Sequence, residues 1–176
     1  EIQNVGVIDF MNRGSRMVVG TAFHKPIGET DCVGCGQCAA VCPTGAIIIK
    51  NDSHRLWKEL NQEDTIAVAQ VAPAVRVAVA KEFGYNGENV MGKIVAALRR
   101  IGFNYIFDTS TAADLTVMEE SKEFADRLAN GGKLPLFTSC CPAWIKYAEN
   151  EYPEILPNIS TCRSQMQMFA SVINEK

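Results

Sequence analysis

The stretch Phe137-Thr138-Ser139-Cys140-Cys141-Pro142-Ala143-Trp144 places two adjacent cysteines directly before a proline. Neighbouring side chains leave a loop in divergent directions, and a disulfide between them is badly strained. We therefore expect two roles, with one thiol holding metal and the other remaining free. Residues 134–137 are predicted to end a strand and Pro142 to open a helix, and open α/β sheets bind ligands at such strand-to-helix turns. The alternative is a pair of buried small thiols that only pack.

The composition is that of a globular chain of 176 residues, 47% of them hydrophobic, which suffices for one core or for a small module joined to a larger one. A net charge of -3 and a pI near 5.4 give no electrostatic case for binding nucleic acid or anionic membranes. No apolar run approaches the roughly 20 residues that cross a bilayer, and the N-terminus lacks the basic-then-apolar order of a signal peptide. The simplest compartment is the cytoplasm.

The seven cysteines are distributed unevenly along the chain. Four of them crowd together and three follow much later: Cys32, Cys35, Cys38 and Cys42, then Cys140, Cys141 and Cys162. A disulfide framework is typical of small secreted domains and is spread differently. The pattern favours metal and redox chemistry.

The first four cysteines and Pro43 have the spacing C-x2-C-x2-C-x3-C-P, which is typical of bacterial ferredoxins. Gly34 and Gly36 let the backbone N–H groups approach the sulfides of an iron-sulfur cube. Zinc is the rival, but a tetrahedral zinc site normally draws two CxxC pairs or includes histidine. In two-cluster ferredoxins the fourth cysteine binds the other cluster. Either Cys42 completes a single cluster, or a second cysteine run lay upstream of Glu1 and Cys42 binds its cluster. The abrupt start of the sequence favours the second alternative.

The surrounding residues predict an α+β ferredoxin-like module over residues 1–52, incomplete at its N-terminus. Residues 5–8 and 17–20 are strand candidates separated by a turn at Asn12-Arg13-Gly14, and residues 46–49 predict another strand. Asp52 and Ser53 are placed to cap a short helix that contains Trp57, which we expect in a core or interface. His24 and His54 have no ligand partners nearby in sequence and are interpreted as surface or structural residues.

Residues 53–176 predict part of an α/β domain with a mainly parallel sheet, because strand and helix patterns alternate. The expected strands cover 65–72, 105–108 and 134–137, and the expected helices 74–83, 88–100 and 112–128. Pro73 is expected to open the first helix, Gly102 to end the second, and Gly131 to end the third. Parallel strands end at one edge of a sheet. We therefore predict the active site where the three strands end, at Ala72-Pro73, Asp108-Thr109 and Thr138-Ser139-Cys140.

These segments together resemble the FeFe hydrogenases, over essentially the whole chain. The residues that carry the resemblance are the cysteine run, Ala72-Pro73-Ala74-Val75-Arg76, Asp114-Leu115-Thr116-Val117-Met118-Glu119-Glu120 and Thr138-Ser139-Cys140-Cys141-Pro142-Ala143-Trp144. Ser164-Gln165-Met166-Gln167-Met168 also resembles a family segment, in which a proline is frequent where Gln165 stands.

The resemblance implies the H-cluster, a 4Fe-4S cube joined through a cysteine to a two-iron centre with CO, cyanide and a dithiolate. By position, Cys141 is a ligand of the cube and Cys140 is the thiol that donates protons beside the two-iron centre. A relay thiol must stay protonatable near neutral pH, which a metal-bound thiolate does not.

Glu120, Glu123 and Ser160 match the family's proton path outward from Cys140. Glu120 and Glu123 lie three residues apart and share one face of a helix. By pattern alone they are a solvated charge pair, and the resemblance favours the relay. Glu119 is interpreted as a surface or structural residue.

Ala72 and Pro73 match positions whose backbone cradles the two-iron centre. Ala74 is also expected among the cofactor-binding residues, and because some relatives carry serine at its position, a possible hydroxyl contact is absent here. Cys162 matches no ligand position, and we expect a small buried thiol.

The resemblance implies reversible reduction of protons to H2, with ferredoxin or another redox protein as electron partner. The family's second and third H-cluster signatures do not occur in the sequence, so we expect a piece of a longer polypeptide, completed by other residues or chains. The alternatives are a non-catalytic hydrogenase-like iron-sulfur scaffold and an H2-sensing protein.

Overall fold

The computed structural model describes residues 3–85 and 87–175. Glu1 and Lys176, the outer limits of the two predicted modules, lie outside the described residues. The chain divides into two compact units. The first contains the described residues up to Ile49 together with Pro135–Ile159, and the second contains Lys50–Leu134 with the described residues from Ser160 onward.

The elements are a mixture of helices and short strands. In chain order they are β1 (Ile8–Met11), β2 (Val18–Thr21), α1 (Gln37–Val41), α2 (Ser53–Leu60), β3 (Val68–Val71), α3 (Pro73–Glu82), α4 (Met91–Ile101), β4 (Tyr105–Asp108), α5 (Thr109–Asn130), α6 (Pro142–Glu151) and α7 (Gln165–Asn174).

The predicted hairpin of the first unit is confirmed, but its first strand lies three residues later than expected. β1 and β2 pair antiparallel, with Met11 opposite Val18 next to the turn. Asn12 has a φ of 64°, as the turn requires. Gly6 has a φ of 57°, which interrupts an extended backbone over residues 5–8 and moves the strand toward the turn.

The strand predicted over residues 46–49 is wrong. Within the described residues this segment joins no ladder, and the side chains of Ile48 and Ile49 are exposed. Its first two amides, those of Ala46 and Ile47, instead donate hydrogen bonds to the sulfur of Cys42. β-branched side chains favour a strand only where a neighbouring strand accepts the backbone hydrogen bonds.

The second unit contains the parallel pairing that the alternating pattern predicted. β3 and β4 pair in parallel, so that Val71 lies opposite Asp108 at their carboxyl ends. α3 follows β3 at Pro73, whose missing N–H costs nothing in the first helical turn. α5 follows β4 at Thr109, and the side chain of Asp108 caps it by accepting a hydrogen bond from the N–H of Ser110 at 2.9 Å.

The third strand, predicted over residues 134–137, is wrong. Only Phe137 forms a bridge, in parallel to Ile159, within the described part of the chain. Pro135 offers no N–H to a ladder, which limits pairing at this position.

Several helix boundaries coincide with residues that favour the start or end of a helix. α4 ends before Gly102 and α5 before Gly131, both with positive φ. α7 begins after Ser164, whose side chain and that of Gln167 form a capping box. Ser164 thus provides the helix entry although the residue that follows it is Gln165.

The core of the second unit lies between the parallel pair and its helices. Val71, Val90, Ala112 and Phe169 are buried, and the rings of Phe107 and Phe169 pack edge to face at 4.9 Å. The Phe107 contact joins β4 to α7. Trp57, expected in a core or interface, is 50% exposed.

Candidate functional site

The cysteine run is shaped by two glycines whose backbone an L-residue rarely adopts. Gly34 and Gly36 have φ values of 69° and 75°. The N–H of Gly34 donates a hydrogen bond to Sγ of Cys32 at 3.4 Å, and Gly36 starts α1, which carries Cys38. The loop therefore turns a backbone amide toward the sulfur, as an iron-sulfur site requires.

Three of the four thiols line a common cavity. It has a volume of about 480 Å³, and its walls include Cys32, Cys35, Cys38 and the apolar side chains of Val33 and Ile27. Three cysteines around one recess with partly apolar walls fit an iron-sulfur cluster. Cys42 does not line this cavity.

Cys42 has its own hydrogen-bond environment. The hydroxyl of Thr44 lies 3.5 Å from Sγ of Cys42. This contact and the amides of Ile47, Thr44 and Ala46 stabilise the thiolate and lower the pKa of Cys42 to about 6, against a small opposing effect of burial. Because the thiolate is the metal-binding form of cysteine, Cys42 is prepared to act as a ligand.

The adjacent cysteines lie on a loop that is tied at both ends. At its start, the N–H of Phe137 donates to the carbonyl of Asn158 at 2.9 Å, and at its end α6 begins at Pro142. The rings of Phe137 and Trp144 meet edge to face at 6.2 Å and close the loop. Both Cys140 and Cys141 are exposed, so each thiol is accessible, and the prediction of two distinct roles stays open.

An ion pair links α3 to the carboxyl end of β4. Nη1 of Arg76 lies 2.8 Å from Oδ2 of Asp108, and both side chains are 27% exposed. Hydrogen bonds from Ser110, followed by the attraction of Arg76, hold the pKa of Asp108 below its usual range against burial. Ala72, Pro73 and Ala74 stand at this edge, with Ala72 half-buried and the other two exposed.

The structure brings Ser160 and Glu123 together, two of the predicted relay residues. Oγ of Ser160 donates a hydrogen bond to Oε2 of Glu123 at 2.9 Å, although the residues are 37 positions apart. Burial raises the pKa of Glu123, but hydrogen bonds from Arg127, Ser160 and Thr161 outweigh burial and hold that pKa below its usual range. The carboxylate is therefore ionised and firmly held at neutral pH.

Glu120 has an unsatisfied oxygen. Its Oε1 is buried and has no hydrogen-bond partner among the described residues. A buried acceptor without a donor costs about 1–3 kcal/mol, and such atoms recur where water or a catalytic group belongs. Oε1 of Glu120 can therefore accept a hydrogen bond from a further donor. Cys140 and Cys141 belong to the first unit and Glu120 to the second, and each is described within its own unit.

Two neighbours of Glu123 were missed at the sequence level. Arg127 binds it with Nε at 3.1 Å and Nη2 at 2.6 Å, and Thr161 donates from both its N–H and its hydroxyl. The spacing of four residues between Glu123 and Arg127 on one helix was a signal for the ion pair. Thr161 had no such signal, because its contact depends on how residues 160–162 pack against α5.

The remaining candidates are peripheral. Cys162, expected to be buried, is half-buried, and its Sγ lies 3.9 Å from Oε2 of Glu123. Across residues 3–85 and 87–175, no three His, Cys, Asp or Glu side chains converge on a position for one metal ion. None of the helices formed by these residues is long and apolar enough to cross a membrane.

The cysteine loop and the parallel strand ends define an iron-sulfur protein with an α/β portion, and comparisons with known proteins identify its family. Residues 65–176 match "Iron only hydrogenase large subunit, C-terminal domain", and residues 25–48 match "4Fe-4S binding domain". The chain belongs to the iron-only hydrogenase large-subunit family. The predicted resemblance is thereby confirmed, as are iron-sulfur and H-cluster cofactors at the level of the family.

Three relatives illustrate the match. The chain is 44% identical to the NADP-reducing hydrogenase subunit HndD of Solidesulfovibrio fructosivorans, over 97% of this chain and 30% of that protein. A variant of the apo [FeFe]-hydrogenase HydA1 of Chlamydomonas reinhardtii has a similar structure, with a TM-score of 0.64 and 37% identity over 72% of this chain and 33% of that one. The Cytosolic iron-sulfur assembly component 3 of Bos taurus is 33% identical over 85% of this chain and 34% of that protein.

The chain thus spans about a third of the relatives that it matches. Residues 25–48 contain all four cysteines of the run, and residues 65–176 contain every candidate relay and cradle residue. The division into modules at residues 52 and 53 remains a prediction.

Proposed function

We propose that the matured protein, completed by the residues or chains that carry the second and third H-cluster signatures, reduces protons to H2 reversibly, with electrons delivered through 4Fe-4S clusters. The observation that carries this proposal is the 2.9 Å hydrogen bond from Ser160 to Glu123, because both residues match the family's proton path. A carboxylate and a hydroxyl within hydrogen-bond reach can pass a proton. The unsatisfied Oε1 of Glu120 supports an extension of the same path.

The residues of this chain take distinct parts in the proposed reaction. Iron-sulfur clusters for electron transfer would be bound by the cysteine run, Cys32, Cys35, Cys38 and Cys42. Cys141 would supply one ligand of the H-cluster cube. The H-cluster, when bound, supplies the two-iron centre at which protons and electrons combine. The backbone of Ala72, Pro73 and Ala74 lines its cradle, and the thiol of Cys140 donates the proton, with Glu120, Ser160 and Glu123 behind it.

The test compares two adjacent substitutions in the matured protein. Cys140→Ala is expected to remove nearly all H2 evolution while the iron content persists, because an unligated thiol is lost. Cys141→Ala is expected to lower the iron content as well. Near-normal H2 evolution by Cys140→Ala would exclude the thiol from proton transfer.

The second candidate function is a non-catalytic iron-sulfur scaffold. The similarity to Cytosolic iron-sulfur assembly component 3 favours it. A scaffold has no need of a proton path, whereas the hydrogen bond from Ser160 to Glu123 supports such a path here. Full iron content without H2 evolution or uptake would favour the scaffold. We retain a redox protein such as ferredoxin as the proposed electron partner and the cytoplasm as the proposed location.

A further inference from the structure

The two oxygens of Glu123 have different side-chain donors, although the N–H of Thr161 also lies 3.4 Å from Oε1. Oε1 lies 3.1 Å from Nε and 2.6 Å from Nη2 of Arg127, which form a fork around it. Oε2 accepts from the hydroxyl of Ser160 at 2.9 Å and from the N–H and hydroxyl of Thr161 at 3.1 and 3.2 Å. The guanidinium of Arg127 does not release protons in proteins. Oε2 is therefore the oxygen at which Glu123 can exchange a proton through hydroxyl groups.

The two hydroxyls on Oε2 differ in their access to solvent. Ser160 is buried, with 6% of its surface exposed, whereas Thr161 is exposed. Thr161 also lines two surface cavities of about 410 and 470 Å³, and Glu123 itself lines the first of them. Oε2 of Glu123 thus lies between one hydroxyl that is shielded from water and one that water can reach.

We propose that the hydroxyl of Thr161 is the solvent end of the proton path and passes protons between water and Oε2 of Glu123. This inference rests on the proposed function. A hydronium ion gives a proton to Oγ1 of Thr161 while the original hydrogen of that hydroxyl moves to Oε2 of Glu123. An O–H bond of hydronium breaks and one forms on Oγ1; the original O–H bond of Thr161 breaks and one forms on Oε2. Threonine ends unchanged, and the carboxylate becomes neutral.

The next transfer leads to the buried side. Oε2 of the protonated Glu123 gives its proton to Oγ of Ser160 while the original hydrogen of that hydroxyl passes to the next acceptor of the proposed path, the carboxylate of Glu120. Serine ends unchanged, and Glu123 is ionised again. The N–H of Cys162 donates to the same oxygen at 3.1 Å and keeps the serine in place. The thiol of Cys162 lies 3.9 Å from Oε2, against 3.2 Å for the hydroxyl of Thr161. Thr161 is the better-placed partner on the exposed side.

The test uses substitutions that keep the shape of the side chain. Thr161→Val removes the hydroxyl and retains both the volume and the backbone N–H that binds Glu123, and Thr161→Ser restores the hydroxyl. The matched control is Thr65→Val, because the hydroxyl of Thr65 donates a hydrogen bond to the nearby side chain of Gln62 and to no candidate relay residue in the described parts of the chain. All variants are measured in the matured protein for H2 evolution in H2O and D2O, iron content and melting temperature.

Thr161→Val is expected to slow H2 evolution about tenfold and to increase the solvent isotope effect, with iron content and melting temperature unchanged. Thr161→Ser and Thr65→Val should behave like the wild type. An unchanged rate in Thr161→Val would show that water reaches Glu123 directly and would overturn the proposal. A slower rate that Thr161→Ser does not restore, or that accompanies a lower melting temperature, would indicate a structural role and also overturn it.

A second readout does not depend on activity. In the metal-free protein, the exchange of the buried Ser160 hydroxyl proton with solvent is measured by NMR, and Thr161→Val is expected to slow it about tenfold. If the wild type evolves no H2, the proposed function fails, while this exchange rate still decides the role of Thr161. Equal exchange in the wild type and Thr161→Val would contradict that role.

Discussion

Glu123 shows how single contacts can offset burial. Its side chain is 17% exposed, and partial burial alone disfavours a carboxylate. The donors on its two oxygens reverse that balance and keep the pKa of Glu123 below its usual range. The ionised form of Glu123 is therefore favoured, and the carboxyl would be protonated only briefly, which suits a relay between two hydroxyls.

The lowered pKa predicts how stability depends on pH. A group whose pKa falls on folding stabilises the folded state above its unfolded pKa, and this contribution is lost as the pH falls through the folded pKa. The free energy of unfolding should therefore differ most between wild type and Glu123→Gln near neutral pH. The difference should shrink below about pH 4. Urea unfolding of both proteins over this range is the measurement.

The control for this pH dependence is Glu59→Gln, on the exposed side of α2. It should differ little from wild type at any pH. A difference between wild type and Glu123→Gln that grows at acid pH would contradict the assignment of Glu123 as a stabilising carboxylate.

Sequence patterns could place some of these residues and not others. The resemblance selected Ser160 and Glu123, and the 2.9 Å hydrogen bond between them is consistent with that selection. Sequence patterns could not select Thr161, because a threonine next to a serine has no distinctive spacing. Only the packing of the chain after Ile159 against α5 brings its hydroxyl to Glu123.

At the level of elements, helix boundaries marked by proline or glycine were predicted better than strand pairing, whereas the starts of α4 and α5 each differ by three residues from the prediction. Pro73 and Pro142 open helices, and Gly102 and Gly131 end them, because these residues act through their own backbone geometry. Residues 46–49 show the limit of this reasoning. Their side chains favour a strand, but the amides at Ala46 and Ile47 are directed to Cys42, and sequence alone does not reveal such competition.

The end of α5 gives a contrast between two glycines. A Cβ at Gly132 would lie 2.9 Å from Cβ and Cγ of Arg127 and 3.0 Å from its Cα. At Gly92, in the first turn of α4, a Cβ would meet nothing within 4 Å. Gly132→Ala is expected to destabilise the protein by about 1–3 kcal/mol through overpacking, and Gly92→Ala to stabilise it by up to about 1 kcal/mol.

Thermal and urea unfolding of the two variants check this contrast. Arg127, which a Cβ at Gly132 would crowd, is also the residue that binds Glu123. Its Nη1 in addition donates a hydrogen bond to the carbonyl of Lys133 at 3.1 Å. Equal stability of Gly132→Ala and wild type would contradict the close packing of this turn against Arg127.

At the scale of the whole molecule, the chain combines a cysteine loop with the α/β portion of its family. Reconstitution of the metal-free protein with iron and sulfide is expected to yield the absorption of a 4Fe-4S cluster. Cys35→Ala should lose most of that absorption, because its thiol lines the cavity shared with Cys32 and Cys38. Cys162→Ala is the matched control and should retain it. Equal cluster content in both variants would remove the cysteine run from cluster binding.

The infrared spectrum of the matured protein tests the central claim most directly. A hydrogenase site should give bands from metal-bound CO and cyanide, together with H2 evolution and an iron content above that of the cysteine-run clusters alone. Cys141→Ala should lose those bands, while a control at Cys162→Ala retains them. Absence of the CO and cyanide bands from a matured protein with full iron content would contradict the hydrogenase account and favour an iron-sulfur scaffold.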